Sequence, residues 1–183
     1  REGIGELLAE GAYRAAVKIG KGAEKLAVCC KKQEFPAHMP RIKGSLALAY
    51  AVNPFGADHM SSNHDGSLSA DPLSEAIRSF GFEKTEPMKD LDFEKAKLVA
   101  YTQRFYSVLD TLDLCMFCFG INILFSPGDV VSLVNMATGW DVNHWELMKL
   151  GERRINMLRA FNFREGFTKE DDSLPARVFE PLK

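Results

Sequence analysis

The sequence predicts an all-α domain of irregular, multi-helix architecture. Three observations carry that prediction. Apolar residues recur at three- and four-residue steps in several segments, cap and stop residues stand at the ends of those segments, and no stretch alternates with period two long enough to make a confident strand. The chain has 183 residues, 46% of them hydrophobic, which supplies one core of ordinary size and sets two small domains as the upper limit.

Taken in order, Ile4, Leu7, Leu8, Ala12, Ala15 and Ile19 place an amphipathic helix over residues 3–19, stopped by Gly20 and Gly22. Residues 23–44 hold Pro36, Pro40 and the charged run KKQE, and read as an extended connector. Ser45 to Val52 is one short apolar helix that must end before Pro54. Asp71-Pro72 is a cap and first-turn pair opening a helix to about Phe80. Asp92 caps the long segment FEKAKLVAYTQRFYSVLDTL, whose stripe of Leu98, Phe105, Val108, Leu109 and Leu112 makes it the spine of the domain. Ser126-Pro127 starts a further helix that Gly139 closes, and Asn143 starts a last long one. Five to seven helices follow from this reading, with no repeats and no low-complexity tracts.

Charge and composition narrow the function classes. The chain carries 23 basic and 25 acidic residues, a net charge of -2, which gives no electrostatic footing for nucleic acid or anionic lipid as a principal partner. LALAYAV and MFCFGINILF are too short for the roughly 20 residues of a membrane span. Cys29, Cys30, Cys115 and Cys118 do not form a secreted disulfide pattern, because neighbours 29 and 30 can hardly pair with each other, and they read as reduced thiols of a cytoplasmic protein. Arg1 is not methionine and lies at the edge of a helical pattern, so the chain reads as part of something longer.

Four groups of residues could carry chemistry. In YAVNPFGADHMSSNHD, a tight turn delivers Asp58, His59, His64 and Asp65 within eight positions. A histidine held just after a turn with one ring nitrogen free suits proton transfer near neutral pH, and the plainer alternative is a surface loop histidine. The same four residues could ring a zinc ion, although their spacing matches no established zinc pattern. In DTLDLCMFC, Asp110 either faces water or meets a polar partner, since burial among Val108, Leu109, Leu112 and Leu114 without donors would be costly; if buried, it suits an array of N–H groups such as a pterin or purine edge. Cys115 and Cys118 share a face if that helix continues, and two thiols alone cannot hold a four-iron cluster. KKQEFPAHMPR sets Glu34 and His38 in a proline-stiffened loop, and the tail places Arg159, Arg164 and Glu165 near a turn at Gly166, with Thr168 and Asp171 as a helix-start pair.

In order along the chain, REGIGELLAEG, KKQEFPAHMPR, YAVNPFGADH, DTLDLC and FNFREGFTKEDDSLPAR closely resemble the C-terminal part of the aldehyde ferredoxin oxidoreductase family. The resemblance covers essentially the whole chain. It implies a cytoplasmic enzyme that oxidises aldehydes or related substrates at tungsten, or molybdenum, held by two pterin dithiolenes, with a 4Fe-4S cluster that passes electrons to ferredoxin. Residues 1–28 correspond to the end of a helical middle domain and 29–183 to most of the last domain. His59 matches the family histidine beside the metal, and Met60 the place where backbone approaches a pterin. Asp110 matches the first position of the family's DxxGLC motif, which binds a pterin's amino edge. Leu114 and Cys115 match its last two, and Cys115 is thereby the implied fourth cluster ligand. His38 stands where many relatives carry tyrosine in AYxPR, and bears on substrate positioning or proton handling. Asp113 replaces the motif's glycine, so either the backbone there needs no positive φ or the loop is altered. The family's CxxCxxxC group, its other pterin aspartate and its metal-proximal glutamate are not in this sequence, and Glu34 is not that glutamate. This 183-residue piece alone is therefore expected to be inactive and, with apolar faces uncovered, to self-associate. The rival expectation is a helical scaffold or binding domain of the same fold that does no chemistry.

Overall fold

The computed structural model describes residues 3–181. Its described elements are α1 (Ile4–Ala9), α2 (Gly11–Ile19), β1 (Cys29–Cys30), β2 (Gln33–Glu34), α3 (Gly44–Val52), α4 (Glu75–Arg78), α5 (Phe93–Thr111), α6 (Met116–Phe119), α7 (Pro127–Thr138) and α8 (His144–Arg164), with short 3₁₀ turns between them. The all-α expectation holds: the strands are two residues each, paired antiparallel with Cys29 opposite Glu34.

The departures have local causes. The first helix is broken in two, because Gly11 takes φ 83° and Glu10 becomes the hinge. Glu34, across the β1–β2 turn, accepts a hydrogen bond from the Ala12 N–H in the first turn of α2. The expected connector therefore contains a small hairpin that docks on α2. The helix expected from Asp71 shrinks to one turn, because Ser74 rather than Asp71 supplies the cap, accepting from the Ile77 N–H at 3.2 Å. With the split helix and the one-turn α4 and α6, the described residues hold eight helices rather than five to seven. The caps at Asp92, Ser126 and Asn143 stand where expected, the last two as reciprocal capping boxes.

Two cores result. The larger gathers Leu98, Phe105, Val108 and Leu109 of α5 with Val130 and Val134 of α7 and Leu147 and Met148 of α8. The smaller joins Cys30, Leu46, Tyr50 and Ala57. α5 and α8 approach so closely that a Cβ on Gly151 would lie 2.0 Å from the Arg104 carbonyl oxygen. Gly151→Ala is expected to lose about 1–3 kcal/mol in chemical denaturation, overpacking outweighing alanine's better helix propensity. A neutral or stabilising result would show that the two helices can separate without loss.

α3 is apolar nearly all round, and a helix of that kind must be buried on every side. Its ends then need partners, and charged side chains supply them. At the N-terminus the Asp65 carboxylate accepts from the Ser45 and Leu46 N–H groups at 3.0 and 3.2 Å. At the C-terminus Lys31 donates to the Ala51 carbonyl and Arg159 to the Val52 carbonyl, at 2.5 and 3.0 Å. Asp172 bridges those two cations at 2.7 and 2.6 Å. Burial alone would raise the Asp172 carboxyl, but hydrogen bonds from Arg159 and Lys31 hold it below the usual carboxylate range. Each sign of charge matches the helix dipole end that it meets.

Candidate functional site

The segment leaving α3 is fixed at both ends. Asn53 donates to Ser61 Oγ at 2.6 Å, closing the turn that contains Pro54 and Gly56, and Gly56 has φ 97° with its open side against the Cys30 carbonyl. A Cβ there would come within 2.5 Å of that oxygen, so the turn requires glycine twice over. The histidine segment that follows is thereby pressed onto the β1–β2 turn.

Three of the four histidines meet. The His38 ring centroid lies 5.1 Å from that of His59 and 4.6 Å from that of His64, and His59 and His64 are 5.8 Å apart. His64 Nε2 donates to the His59 carbonyl at 2.6 Å, which ties the His64 ring to the His59 main chain. Lys43 Nζ donates to His38 Nδ1 at 3.2 Å. Burial, then the Lys43 ammonium and the other two imidazoles, hold the His38 imidazole below its ordinary pKa, so it stays neutral at neutral pH. His59 Nδ1 is buried and without a hydrogen-bond partner among the described residues. The sequence offers His64 only as a possible zinc ligand and gives no sign of Lys43. His38 itself takes a left-handed backbone conformation, φ 62°, in the loop that packs on the 59–64 segment.

Beside this cluster lies an open cleft of about 530 Å³. It takes Asp58 and Met60 from the histidine segment, Asp110, Asp113, Leu114 and Cys115 from the end of α5, and Arg154 from α8. Four of the six sequence-expected site residues, Met60, Asp110, Leu114 and Cys115, therefore line one cleft, and His59 lies between two lining residues in the chain. Asp110 is not buried: its carboxylate is 41% exposed and pairs with Arg154 at 3.0 Å. Desolvation still raises its pKa, with Asp58 adding to the rise and Arg154 opposing it. The Met60 N–H is already used, donating to Asp58 Oδ1 at 2.8 Å. Arg154 has no mark in the sequence, where nothing distinguishes a helix arginine that faces a shared cleft, and Asp58, singled out in sequence with the histidine segment, lines the cleft rather than a zinc site.

The DTLDLC stretch is a helix-ending device. Leu114 N–H donates to the Leu109 carbonyl at 2.9 Å and Asp113 N–H reaches the Asp110 carbonyl at 3.5 Å, the paired bonds of a Schellman C-terminus. Asp113 occupies its left-handed position with φ 54°. The backbone does need positive φ there, and aspartate adopts it, so the turn is kept without glycine. Asp113→Gly is expected to stabilise by about 1 kcal/mol, the left-handed penalty being relieved; a loss on denaturation would mean that the Asp113 carboxylate does more than fill the turn.

Because α5 ends at Thr111, Cys115 and Cys118 do not lie on one continuous helix: Cys115 is the cap residue of α6. Its thiol is exposed, whereas Cys118 is half-buried. Cys29 and Cys30 are chemically quiet by comparison, since burial raises both thiols, Cys30 to about 11 against the opposing charge of Lys31. The zinc reading of the histidine segment fails on geometry. Asp65 is fully buried under α3 with Lys95 at 3.0 Å, and among the described residues no group of three or more His, Cys, Asp or Glu side chains is placed to hold a metal ion.

The family model described as "Aldehyde ferredoxin oxidoreductase, domains 2 & 3" matches residues 1–183. The chain is 36% identical over 182 residues to a tungsten-containing aldehyde ferredoxin oxidoreductase of Pyrococcus horikoshii, and 32% identical to one of Thermococcus kodakarensis, covering 98% of this chain and 27% of each relative. It is 29% identical to an "Aliphatic sulfonate oxidoreductase, WOR-like subunit" of Pyrococcus furiosus, over all of this chain and 26% of that protein. The chain thus spans about a quarter of the length of the curated relatives it matches. Among the described residues, no helix is long and apolar enough to cross a membrane.

Proposed function

This chain belongs to the aldehyde ferredoxin oxidoreductase family, and from that premise we propose that it forms the C-terminal part of a cytoplasmic oxidoreductase acting on aldehydes or related substrates. In this reading residues 1–28 close a middle domain and 29–183 make most of the last one. The observation that carries the proposal is the single exposed thiol, Cys115, set by a helix-ending turn five positions after Asp110 and sharing a cleft with Met60 and Leu114.

The cleft's chemistry fits a pterin edge and one corner of an iron-sulfur cluster. Asp58, Asp110 and Asp113 offer carboxylate acceptors to ring N–H and amino groups, and Asp110 is oriented for that by Arg154. An exposed thiolate supplies one ligand to a 4Fe-4S cluster, and the proposal assigns the other three to polypeptide that the family carries outside these domains. A tungsten or molybdenum bis-pterin centre with its cluster supplies, when bound, oxidation of a carbonyl carbon and onward passage of single electrons, with ferredoxin as acceptor.

The remaining work belongs to this chain's side chains. His59, whose ring makes no hydrogen bond among the described residues and whose Nδ1 is buried, is the imidazole that this proposal assigns to proton transfer. Lys43 donates to His38 Nδ1, so the neutral His38 ring keeps its proton on Nε2 and presents a donor to its neighbours. The left-handed turn is kept at Asp113 without glycine, which supports a loop of the motif's shape at this position. Exposed Phe117 and Leu124, 66% and 71% accessible, are surfaces for further domains or a second copy.

Metal analysis of the full-length protein tests the reading. Tungsten or molybdenum together with about four irons per chain is the expected result. Their absence from protein purified anaerobically, with no aldehyde oxidation, would return the chain to the scaffold class.

A further inference from the structure

Cys118 has no part in the proposed reaction, yet it stands three positions after Cys115, and the two occupy the N-cap and N3 positions of the one-turn helix α6. The Cys118 N–H donates to the Cys115 carbonyl at 3.0 Å, which closes a tight turn and holds the two Cα atoms within about 7 Å. A disulfide needs Cα atoms about 4.4–6.8 Å apart. Side chains at these two positions meet elsewhere in this chain. At the start of α7 the pair is Ser126 and Asp129, whose side chains meet at 2.7 Å, and at the 3₁₀ turn Lys169–Asp171 it is Thr168 and Asp171, which meet at 3.4 Å.

The exposures of the two thiols differ as a redox pair requires. Cys115 is exposed on an open cleft and makes no side-chain hydrogen bond to cap α6, so a solute reaches its sulfur; Cys118 is half-buried. The neighbouring Cys29 and Cys30 lack these properties. Cys30 is buried with its Sγ donating to the Ser173 carbonyl at 3.3 Å, and burial raises both thiols.

We propose that Cys115 and Cys118 are a redox modification site, closing to a disulfide under peroxide when no cluster occupies Cys115 and so storing that ligand sulfur in a reversible state. The Cys115 sulfur takes one peroxide oxygen as the O–O bond breaks, and the thiol's proton leaves with the other oxygen as water. The Cys118 sulfur then attacks the sulfenic sulfur, the S–O bond breaks, and the released hydroxide takes the Cys118 proton. Two thiols and one hydrogen peroxide thus give one disulfide and two waters, with two electrons passing from sulfur to oxygen. Without a second thiol at hand the sulfenic acid goes on to sulfinic acid, which a thiol reductant does not reverse. The storage role rests on the oxidoreductase reading, and the disulfide rests on the turn alone.

The test uses full-length protein freed of iron by a chelator and treated with hydrogen peroxide. Trypsin releases both thiols on one peptide, since no lysine or arginine lies between Arg104 and Lys149. That peptide is expected to be lighter by two hydrogens and to be restored by dithiothreitol. Cys115 left as a thiol, taken to sulfinic acid, or joined to a cysteine other than Cys118 overturns the pair, and this mapping needs no variant. Cys118→Ser and Cys118→Ala then test storage: after peroxide, dithiothreitol, and iron with sulfide, each is expected to regain cluster absorption at least about fivefold below wild type, because its Cys115 has over-oxidised. Equal recovery overturns the storage role. A disulfide at this turn in a protein whose iron content does not depend on Cys115 refutes the cluster reading and keeps the pair. Iron that depends on Cys115, with no disulfide, does the reverse.

Discussion

Lys95→Met is expected to destabilise the protein by about 3–5 kcal/mol, the range for removing one partner of a buried ion pair. Lys95 and Asp65 are both fully buried, 3.0 Å apart, on side chains thirty positions apart in sequence. Methionine keeps the length of the lysine stem but leaves the Asp65 carboxylate with only the Ser45 and Leu46 N–H groups, and leaves the Pro87 carbonyl without the bond that Lys95 donates at 2.9 Å. For a domain of this size that is a fall in Tm of roughly 6–20 °C. The effect reaches the candidate site, because residues 53–64 are strung between the C-terminus of α3 and Asp65 and hold His59 and His64 between those anchors. In the double variant Lys95→Met/Asp65→Asn much of the loss should return, since an amide is not a buried unpaired charge and its oxygen still accepts at the helix start. Calorimetry or denaturant unfolding that finds less than about 1 kcal/mol for the single variant would mean that water reaches the pair.

The residues that formed elements through short-range rules were legible. Asp92, Ser126 and Asn143 cap the helices that their positions announced, and the α5 stripe is the core that its spacing described. Failures came where a distant partner decides. Gly11 reads as one helix position among others, but its left-handed backbone lets Glu34 reach the start of α2. Asp71-Pro72 carries every mark of a helix start, yet Ser74 takes that part, and its hydroxyl also reaches Asn122 at 2.5 Å. The family resemblance named Met60, Asp110, Leu114 and Cys115, which line one cleft, and His38 and His59, whose rings meet beside it. Lys43 and Arg154, and the contact of His64 with His38, were invisible for one physical reason: each acts through a contact that exists only after loops 38–43 and 59–64 and helix α8 are packed. Asp65 was misplaced for the same reason, as a site ligand when it is the foundation of α3.

Cys115→Ser, made in the full-length protein, is expected to remove the largest share of function of any single change in this chain. Serine keeps the size and the α6 cap position, so the fold should be unaffected: no side-chain hydrogen bond from Cys115 supports that cap, and the thiol packs in no core. What it removes is a soft, exposed sulfur ligand, and an alkoxide is a poor substitute at iron. If Cys115 is a cluster corner, iron per chain should fall from about four to three or fewer, the visible iron-sulfur absorption should bleach, and aldehyde-dependent electron transfer to ferredoxin should drop by at least about a hundredfold, the scale lost when a cofactor rather than a contact is removed. Cys118→Ser is the internal control. That thiol is half-buried and lies outside the residues that line the cleft, so its replacement should leave iron content alone. Equal loss in both variants would indicate damage to α6 rather than removal of a ligand. Full iron content in Cys115→Ser would place the cluster's fourth ligand elsewhere and separate Asp110 and its turn from electron transfer.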